Sequence, residues 1–375
     1  MKEINVALIG SKFMGMAHSN AFRNAATWGL LPVKIRLKAV CATNADGRLP
    51  SFANTYGWES YETDWRNLVE RKDIDLISIA VTGYLHKDIA VAAARNGKHI
   101  LCEKPLANTL NEAQQMYDEV LKAGVRHCCG FSYRFTPSLA LARQFVRERC
   151  IGRIFHVYAR YAQDWITSPD FPMVWRLDKK FSGTGPLGDL SAHSVDACRF
   201  ITGLTFSEVV ANTKTFIEDR PLAVDTKEKG KVTVEDTAQF FVNFSNGAVG
   251  NFESTRFATG RKNHNCIEIN GEYGSLFWDF EEQNYLYYFD NRHQPAEAGF
   301  RKINVTHNSH PYGGGWWPQG HGLGYADTFV IEVIEFIKAI VEDKEFSPDF
   351  ADGLICQQIL DAVERSAKER QWIKI

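Results

Sequence analysis

The first third of the chain alternates continuous apolar runs with amphipathic segments. Strands are predicted at residues 5–9, 33–41, 76–81, 98–102 and 125–131, and helices between them at 17–26, 49–56, 87–96 and 110–123. Runs that are apolar throughout are typical of strands buried on both faces of a sheet. Their alternation with helices predicts an α/β fold with a parallel sheet and helices on each side.

The pattern changes after about residue 130. One helix is predicted at 138–147, followed by alternating strands at 154–163, 207–215, 232–244, 247–257, 265–271 and 274–279, with one helix among them at 189–202. Helical segments follow at 328–341 and 350–367. Alternation with few intervening helices indicates antiparallel pairing. We therefore predict two domains, residues 1–130 and residues 131–375, the second an α+β domain with a large, open, mostly antiparallel sheet.

Composition narrows the classes of protein to which the chain can belong. Its 375 residues suit two domains, and 45% of them are hydrophobic, which is enough for full cores. A net charge of −2 without a basic run argues against nucleic acid or an anionic membrane as a partner. No apolar run reaches the roughly 18 residues of a membrane span, and the N-terminus lacks the layout of a signal peptide, so we expect a cytoplasmic location. The eight cysteines lack metal-ligand spacing, and we expect buried free thiols and no metal.

A glycine-bearing turn joins the first predicted strand to the first predicted helix. Gly10 and Gly15 match the outer glycines of the G-x-G-x-x-G dinucleotide fingerprint, and Lys12 stands in place of the middle glycine. Backbone amides at the helix N-terminus would face a pyrophosphate. The alternative is an ordinary turn between a strand and a helix. We predict that Gly10, Lys12, Phe13, Met14 and Gly15 bind a dinucleotide.

The end of the second predicted strand leaves the choice of coenzyme open. An acid at this place usually holds the adenosine ribose of NAD, but Ala42 occupies it here. No arginine stands directly beside it to receive the 2′-phosphate of NADP. Thr43 and Asn44 follow and are predicted to contact the nucleotide, with NAD as the expected cofactor and NADP as the alternative.

Two further patterns suit acid–base chemistry. Glu103, Lys104 and Pro105 end an apolar strand, where an ammonium can face both a cofactor and a substrate hydroxyl. Asp189 and His193 stand at positions i and i+4 of a predicted helix and therefore share a face. A carboxylate near an imidazole fixes its orientation, which suits a general base. Alternatively, Asp189 caps the helix and His193 is a core histidine.

Other residues have the chemistry to line a sugar site, because aromatic rings stack on the C–H faces of pyranoses while Arg and His satisfy hydroxyls. Packing in the core or a place in a surface loop is the alternative for each of them. His18 and His86 are candidates for the cofactor side instead. The candidates for the substrate side are Tyr133, Arg134, Trp165, Trp175, Arg176, His310, Trp316, Trp317 and His321.

Taken together, these elements resemble the glucose-fructose oxidoreductase / inositol dehydrogenase / rhizopine catabolism (Gfo/Idh/MocA) family over nearly the whole chain. The most specific marks are the Glu103-Lys104-Pro105 motif and the pair Asp189 and His193, which matches the family's D-x-x-x-H motif. The resemblance implies a Rossmann domain that binds NAD(P), followed by a domain whose open sheet builds homodimers or homotetramers. It also implies that Lys104, Asp189 and His193 are catalytic.

Further roles follow from the same resemblance. Glu103 and His86 are implied to surround the nicotinamide, and Lys104 is implied to contact both cofactor and substrate. The tryptophan-rich stretch at 308–324 is similar to the branch of levoglucosan and glycoside C3 dehydrogenases.

We expect reversible hydride transfer between a secondary hydroxyl of a sugar, glycoside or polyol ring and nicotinamide. One alternative is a glycoside-cleaving enzyme in which tightly held NAD oxidises C3 transiently to permit elimination. A second alternative is a sensor of NAD and sugar without turnover.

Overall fold

The computed structural model describes residues 3–313 and 317–375. The chain forms two compact units. The first comprises the chain up to Phe135 together with Leu323–Ile355, and the second comprises Thr136–Gly322 together with Cys356–Ile375. The predicted division at residue 130 differs from this grouping in two respects. The first boundary follows Phe135, and the segment Leu323–Ile355 packs with the first unit.

The first unit contains a parallel sheet of six strands in the order β3-β2-β1-β4-β5-β6. This is the strand order of dinucleotide-binding folds, in which the direction of winding reverses between β1 and β4. The α/β prediction for this part of the chain is thus confirmed. The strands are β1 (Glu3–Ile9), β2 (Lys34–Cys41), β3 (Ser60–Glu62), β4 (Leu76–Ile79), β5 (His99–Glu103) and β6 (His127–Gly130).

Five helices of the first unit alternate with these strands. The sequence marks the ends of α5 clearly, because Thr109 and Glu112 form a reciprocal capping box at its start and Gly124 adopts the left-handed conformation after its end. The helices are α1 (Phe13–Thr27), α2 (Leu49–Tyr56), α3 (Trp65–Glu70), α4 (His86–Arg95) and α5 (Leu110–Ala123).

A helix from late in the chain completes the first unit. Helix α9 (Tyr325–Val341) is apolar around most of its circumference and packs against α1. The ring of Phe329 lies 6.0 Å from that of His18, and the ring of Tyr325 stacks parallel to that of Phe13 at 6.5 Å. Helix α9 therefore covers α1, the helix that the glycine turn opens.

The second unit is built on a sheet of nine strands, in the order β16-β15-β14-β13-β7-β12-β11-β8-β17. Neighbouring strands are antiparallel except for β12 and β7, which run parallel. The prediction of a large, mostly antiparallel sheet is therefore confirmed. Its strands are β7 (Ile154–Ala162), β8 (Phe206–Lys214), β11 (Thr237–Phe244), β12 (Val249–Thr255), β13 (His264–Gly271), β14 (Gly274–Asp279), β15 (Tyr285–Asp290), β16 (Arg301–Asn304) and β17 (Ile373–Lys374).

Helices α6 and α8 pack on one face of this sheet. Residues alternate between buried and exposed along β11 because successive side chains point to opposite faces. The predicted strand at 232–244 is shorter than expected, since only Thr237–Phe244 joins the large sheet. The remaining elements are a hairpin of β9 (Asp219–Pro221) and β10 (Lys229–Lys231), and the helices α6 (Pro137–Arg147), α7 (Lys179–Ser182), α8 (Ala192–Thr202) and α10 (Phe350–Glu369).

Two further findings concern the helices and the cysteines. In the described residues, none of the helices combines the length and apolarity that crossing a membrane requires. All eight cysteines are free thiols, and all but Cys150 are buried, as the sequence predicted.

Candidate active site

The glycine turn after β1 leaves no room for side chains at two positions. A Cβ on Gly10 would lie 2.3 Å from the carbonyl oxygen of Ala80, and Gly10 has a φ of +123°, which other residues rarely adopt. A Cβ on Gly15 would lie 2.2 Å from the carbonyl oxygen of Gly10. The backbone of the turn therefore packs directly against the end of β4. This is the tight approach that a dinucleotide-binding turn needs, so these residues fit NAD.

The residues between the two glycines face outward. Lys12 precedes α1 in an extended conformation, and its side chain is 83% exposed. Phe13 is 57% exposed, and Met14 is half-buried. The first amides of α1 lack helical partners by geometry and lie at the carboxyl edge of the sheet, where a pyrophosphate would bind.

The loop after β2 contains Thr43 and Asn44. Thr43 is exposed, whereas the side chain of Asn44 accepts a hydrogen bond of 3.0 Å from the backbone N–H of Leu49 at the start of α2. Asn44 therefore shapes the loop, and Thr43 is open to a ligand.

Glu103, next to the predicted catalytic lysine, is held in a buried network. Its Oε1 accepts a hydrogen bond from Nε2 of His18 at 2.9 Å, and its Oε2 accepts one of 3.2 Å from the backbone N–H of Lys104. Nδ1 of His18 lies 2.7 Å from Oγ of Ser78. His18, Ser78 and Glu103 are all at least 96% buried. The network thus connects α1 to the backbone of Lys104. His18 was predicted only to lie on the cofactor side, without a partner.

His86 is only 1% exposed, and its predicted contact with the cofactor stays a prediction. Its Nε2 lies 3.1 Å from the carbonyl oxygen of Val81, and its Nδ1 lies 3.1 Å from that of Pro105 and 3.2 Å from that of Leu106. Burial lowers the pKa of His86, although the three carbonyl groups oppose this shift. The imidazole thus joins the end of β4 to the turn that follows Lys104.

Arg134, a predicted substrate-side residue, is buried and engaged with protein groups. Its side chain is 4% exposed, and it donates hydrogen bonds to Oγ of Ser347 at 2.7 Å and to Oδ2 of Asp352 at 3.1 Å. The charge of Arg134 is therefore balanced within the first unit, and its contact with a substrate stays a prediction. Tyr133 is also buried, with its ring 6.4 Å from that of Tyr325.

In the second unit, Asp189 and His193 lie on a helical segment that begins as a π-helix and continues as an α-helix. Asp189 belongs to a π-helical turn, Leu187–Ser191, and His193 lies in the first turn of α8. Turns of this type occur frequently at functional sites. The i/i+4 spacing of an α-helix therefore does not describe the pair, and the orientation of His193 by Asp189 stays a prediction. His193 is 8% exposed, and its ring lies 5.9 Å from that of Tyr161.

The carboxylate of Asp189 is paired with arginine. Its Oδ2 accepts a hydrogen bond of 2.8 Å from Arg256, whose side chain is 1% exposed, and Nε of Arg176 lies 3.9 Å away. Burial lowers the pKa of Arg176, and the neighbouring Arg256 adds to this effect while Asp189 opposes it. Arg256 was not among the predicted site residues, and the sequence indicated it only as one of the arginines that leave an anionic substrate group possible. Its position directly after the end of β12 is the signal that marks it.

Aromatic rings accompany both arginines. The guanidinium of Arg256 lies 5.2 Å from the ring centre of Trp165, and that of Arg176 lies 4.3 Å from the ring centre of Trp175. Trp165 also packs on a small core cluster of the second unit that includes Ile166. The predicted substrate candidates Trp165, Trp175 and Arg176 therefore lie in one region together with Asp189.

A half-buried acid that was not among the predicted site residues, Glu235, holds the segment before Asp189. Oε1 of Glu235 accepts a hydrogen bond of 2.8 Å from the backbone N–H of Leu187. A Cβ on Gly185 would lie 2.0 Å from the carbonyl oxygen of Glu235, so the two segments are in close contact. Burial raises the pKa of Glu235.

The tryptophan-rich loop contributes less to the described site. His321 is exposed, with Nδ1 2.8 Å from the carbonyl oxygen of Pro318, and Trp317 is 52% exposed. Burial lowers the pKa of His310. Trp316 lies outside the described residues. The substrate contacts predicted for this loop stay predictions.

One group of potential metal ligands occurs in the described residues of the second unit. Nδ1 of His264 lies 3.3 Å from Oδ2 of Asp279 and 3.5 Å from Oε2 of Glu281. Arg261 also donates to Oε2 of Glu281, at 2.6 Å. These contacts form a network of opposite charges in which the guanidinium already occupies one of the oxygens.

Comparisons with known proteins cover the whole chain. Residues 4–131 match the family described as the oxidoreductase family with an NAD-binding Rossmann fold, and residues 139–277 match the GFO/IDH/MocA C-terminal domain. The levoglucosan dehydrogenase of Pseudarthrobacter phenanthrenivorans is 39% identical over 387 residues, which cover 100% of this chain and 99% of that protein.

Solved structures agree with this match. An oxidoreductase domain protein from Kribbella flavida is 48% identical, with a TM-score of 0.96 and full coverage of both chains. A levoglucosan dehydrogenase in complex with NADH and levoglucosan is 40% identical, with a TM-score of 0.95 and full coverage of both chains. The predictions of family, enzyme class and NAD as cofactor are confirmed. The chain therefore belongs to the Gfo/Idh/MocA family, the NAD-dependent oxidoreductases of the sugar and polyol dehydrogenase type.

Proposed function

We propose that this enzyme oxidises a ring secondary hydroxyl of an uncharged sugar, with levoglucosan or a related anhydrosugar or glycoside as the substrate class. The observation that carries the proposal is the ion pair between Asp189 and the buried Arg256, which fixes a carboxylate four residues before His193. A levoglucosan dehydrogenase at 39% identity over the full chain supports the choice of substrate class.

His193 acts as the general base in this proposal. An imidazole in a largely buried site can accept the proton of the hydroxyl as the carbon–hydrogen bond breaks, and such a base contributes roughly 10²–10⁴-fold in rate. Asp189, held by Arg256 and Arg176, keeps its negative charge and favours the imidazolium that forms.

Lys104 stabilises the substrate oxygen. Its ammonium donates a hydrogen bond to the oxygen from which His193 takes the proton, and this bond strengthens as negative charge develops. The buried Glu103 accepts the backbone N–H of Lys104, which fixes the start of the lysine side chain. When bound, NAD supplies the acceptor for the hydride.

The arginines support a neutral substrate rather than an anionic one. Arg256 and Arg134 are buried, and each is paired with a carboxylate, Asp189 and Asp352 respectively. A substrate phosphate or carboxylate would have to compete with these acids for the guanidinium groups. Trp165 and Trp175 instead offer ring faces for sugar C–H groups. Thr43, Lys12 and the other residues of the glycine turn bind the nucleotide in this proposal.

Substitution of the proposed catalytic residues tests these roles. Lys104→Ala and His193→Ala should each lower kcat on levoglucosan by about 10²-fold or more while the Kd for NADH stays within about threefold of wild type. His293→Ala, at an exposed histidine outside the candidate site residues, controls for the general effects of losing a histidine side chain. Rates close to wild type in both variants would contradict the assignment.

The same assay distinguishes the alternative functions. A dehydrogenase accumulates soluble NADH in proportion to the oxidised sugar. A glycoside-cleaving enzyme with transient C3 oxidation would release aglycone without net NADH. A sensor would bind NADH and sugar with no turnover on any member of a broad panel of sugars and polyols.

We also propose that the uncovered face of the nine-stranded sheet binds a second copy of the chain. Phe241 and Val249 are 58% and 47% exposed on adjacent strands, and the pairing of Phe241 with Asn251 and of Asn243 with Val249 puts them on one face. An exposed apolar face tends to be an interface. A monomeric mass in light scattering at micromolar concentration would count against a homodimer or homotetramer.

A cytoplasmic location is part of the same proposal. Eight free thiols suit a reducing compartment, where disulfides rarely persist. Cell fractionation with immunoblotting tests the location, and recovery in a secreted fraction would contradict it.

A further inference from the structure

The chain differs from the dinucleotide fingerprint at two places, and an ion pair connects these two places in the structure. Lys12 replaces the middle glycine of the turn, and the end of β2 lacks the usual acid. In the structure, Nζ of Lys12 lies 3.1 Å from Oδ2 of Asp46, in the loop after β2. Nε of Arg48 lies 3.1 Å from the same oxygen, and the backbone N–H of Arg48 donates to Oδ1 of Asp46 at 3.2 Å. One carboxylate thus receives two cations.

These residues lie where the adenosine part of a dinucleotide binds. Strands β1 and β2 are parallel neighbours that end in register, with Ile9 opposite Cys41. The backbone N–H of Gly10 donates to the carbonyl oxygen of Cys41 at 2.8 Å, so the glycine turn is held against the end of β2. In folds of this type the ribose of adenosine lies over this edge.

The three side chains are accessible to a ligand. Those of Lys12 and Arg48 are 83% and 80% exposed, and that of Asp46 is 35% exposed. The hydrogen bond from Lys12, with a further contribution from the backbone of Arg48, lowers the pKa of Asp46. The carboxyl group of Asp46 therefore ionises more readily than that of an ordinary aspartate, and it carries its negative charge at neutral pH.

A carboxylate and a 2′-phosphate are both negatively charged and repel one another at short range. The 2′-hydroxyl of NAD can donate a hydrogen bond to a carboxylate, whereas the 2′-phosphate of NADP would be repelled by it. Two cations next to the carboxylate would have the opposite preference, because Lys and Arg bind phosphate. The preference of the site for NAD or NADP therefore depends on whether the carboxylate of Asp46 is present to pair with Lys12 and Arg48.

We propose that Asp46 determines the coenzyme preference of this enzyme. It replaces the missing acid at the end of β2, accepts a ribose hydroxyl of NAD, and withholds Lys12 and Arg48 from a 2′-phosphate. Removal of its charge turns the same loop into a site for NADP. The inference deepens the proposed function and rests on it only for the use of a nicotinamide cofactor.

The test compares the binding of NADH and NADPH without any sugar. Wild type and Asp46→Asn are titrated by nucleotide fluorescence at low and high salt, and 2′-AMP and 5′-AMP are used as competitors. Asn keeps the size of the side chain and an oxygen for the N–H of Arg48. Wild type should prefer NADH, and Asp46→Asn should tighten NADPH and 2′-AMP by about tenfold while NADH weakens by a few-fold. The gain for NADPH should shrink at high salt, because exposed charges are screened.

Two controls make the result specific. Asp361→Asn removes an exposed acid that is also paired with an arginine, Arg365, at 2.9 Å, and it should leave both affinities unchanged. The triple variant Asp46→Asn, Lys12→Ala, Arg48→Ala should lose the gain for NADPH. An unchanged ratio of the two dissociation constants in Asp46→Asn would overturn the inference, and so would a gain that persists in the triple variant.

Failure of the inference is distinguishable from failure of the proposed function. If sugar oxidation is absent while Asp46→Asn still changes the NADH-to-NADPH ratio, the function is wrong and the inference stands. If sugar oxidation is present while the ratio stays constant, only the inference falls.

Discussion

Substitution of Gly15 by alanine sets two energetic effects against each other. In the interior of a helix, Gly→Ala usually stabilises by about 1 kcal/mol, because alanine restricts the unfolded chain and favours the helix. At Gly15, however, the added Cβ would lie 2.2 Å from the carbonyl oxygen of Gly10, against 3.4 Å or more for an ordinary contact. The obstacle is backbone, so no rotamer change can relieve it.

The steric effect should exceed the helix propensity. The contact is about 1.2 Å too short, so α1 or the Gly10 turn has to move by roughly that amount. Overpacking of this kind costs about 1–3 kcal/mol, and a rigid backbone obstacle corresponds to the upper part of that range. With about 1 kcal/mol gained from propensity, the expected net loss of stability is about 1–2 kcal/mol. The same movement displaces the amides of α1 that would face the pyrophosphate.

Thermal unfolding and NADH titration of Gly15→Ala measure both consequences. The melting midpoint should fall by about 2–4 °C for each kcal/mol lost, and the Kd for NADH should rise by about tenfold. Gly299→Ala is the matched control, because its Cβ meets no atom within 4 Å, and it should leave both quantities unchanged. A Gly15→Ala protein at least as stable as wild type, with unaltered NADH affinity, would refute the steric reasoning.

Two further predictions concern buried ionisable groups. Burial lowers the pKa of His127 from 6.5 to about 4, and its neutral Nδ1 accepts the N–H of Phe350 at 3.1 Å. Because the folded pKa lies below the unfolded value, stability is complete above pH 6.5 and declines as the pH falls towards 4, by roughly 2 kcal/mol at pH 5. Urea unfolding at pH 7.5 and pH 5 should show this loss in wild type and a smaller loss in His127→Asn, and equal losses in the two proteins would contradict it. Arg256→Met leaves Asp189 with Arg176, 3.9 Å away, as its nearer remaining arginine, and should reduce stability by about 1–3 kcal/mol and kcat by tenfold or more. Full activity on levoglucosan in that variant would show that the ion pair does not matter for the reaction.

The strands and most helices could be predicted from the sequence, because their periodicity is local. The apolar run at 76–81 contains β4. The capping residues of α5 lie within a few positions of the ends of that helix. The place of α9 could not be predicted in this way. Its apolar surface shows that it is buried, but not that it packs on α1, more than 300 residues earlier in the chain.

The residues of the candidate site also differ in how well the sequence predicted them. Gly10 and Gly15 follow from a short motif, and the structure gives each of them a backbone contact that excludes a side chain. Arg134 and His86 were identified by residue type and position along the chain, which does not reveal burial. Both are engaged with protein groups, Arg134 with Asp352 and His86 with backbone carbonyls.

The partners of these residues come from distant positions, and a linear pattern contains no information about such pairings. Asp189 pairs with Arg256, 67 residues later in the sequence. Lys12 pairs with Asp46, 34 residues later. Each pairing changes the chemistry inferred from one residue alone, since Arg256 is no longer available to an anion and Lys12 no longer carries an isolated charge.

The return of the chain to its first unit has a consequence for synthesis on the ribosome. Helix α1 is translated well before the apolar helix that covers it, because that helix begins only at Tyr325. At about 5–20 residues per second, the face of α1 that contains His18 remains without α9 for at least some fifteen seconds. During that interval the nascent Rossmann sheet has an unfinished surface, which makes chaperone dependence and aggregation of truncated products the expected signs of this topology.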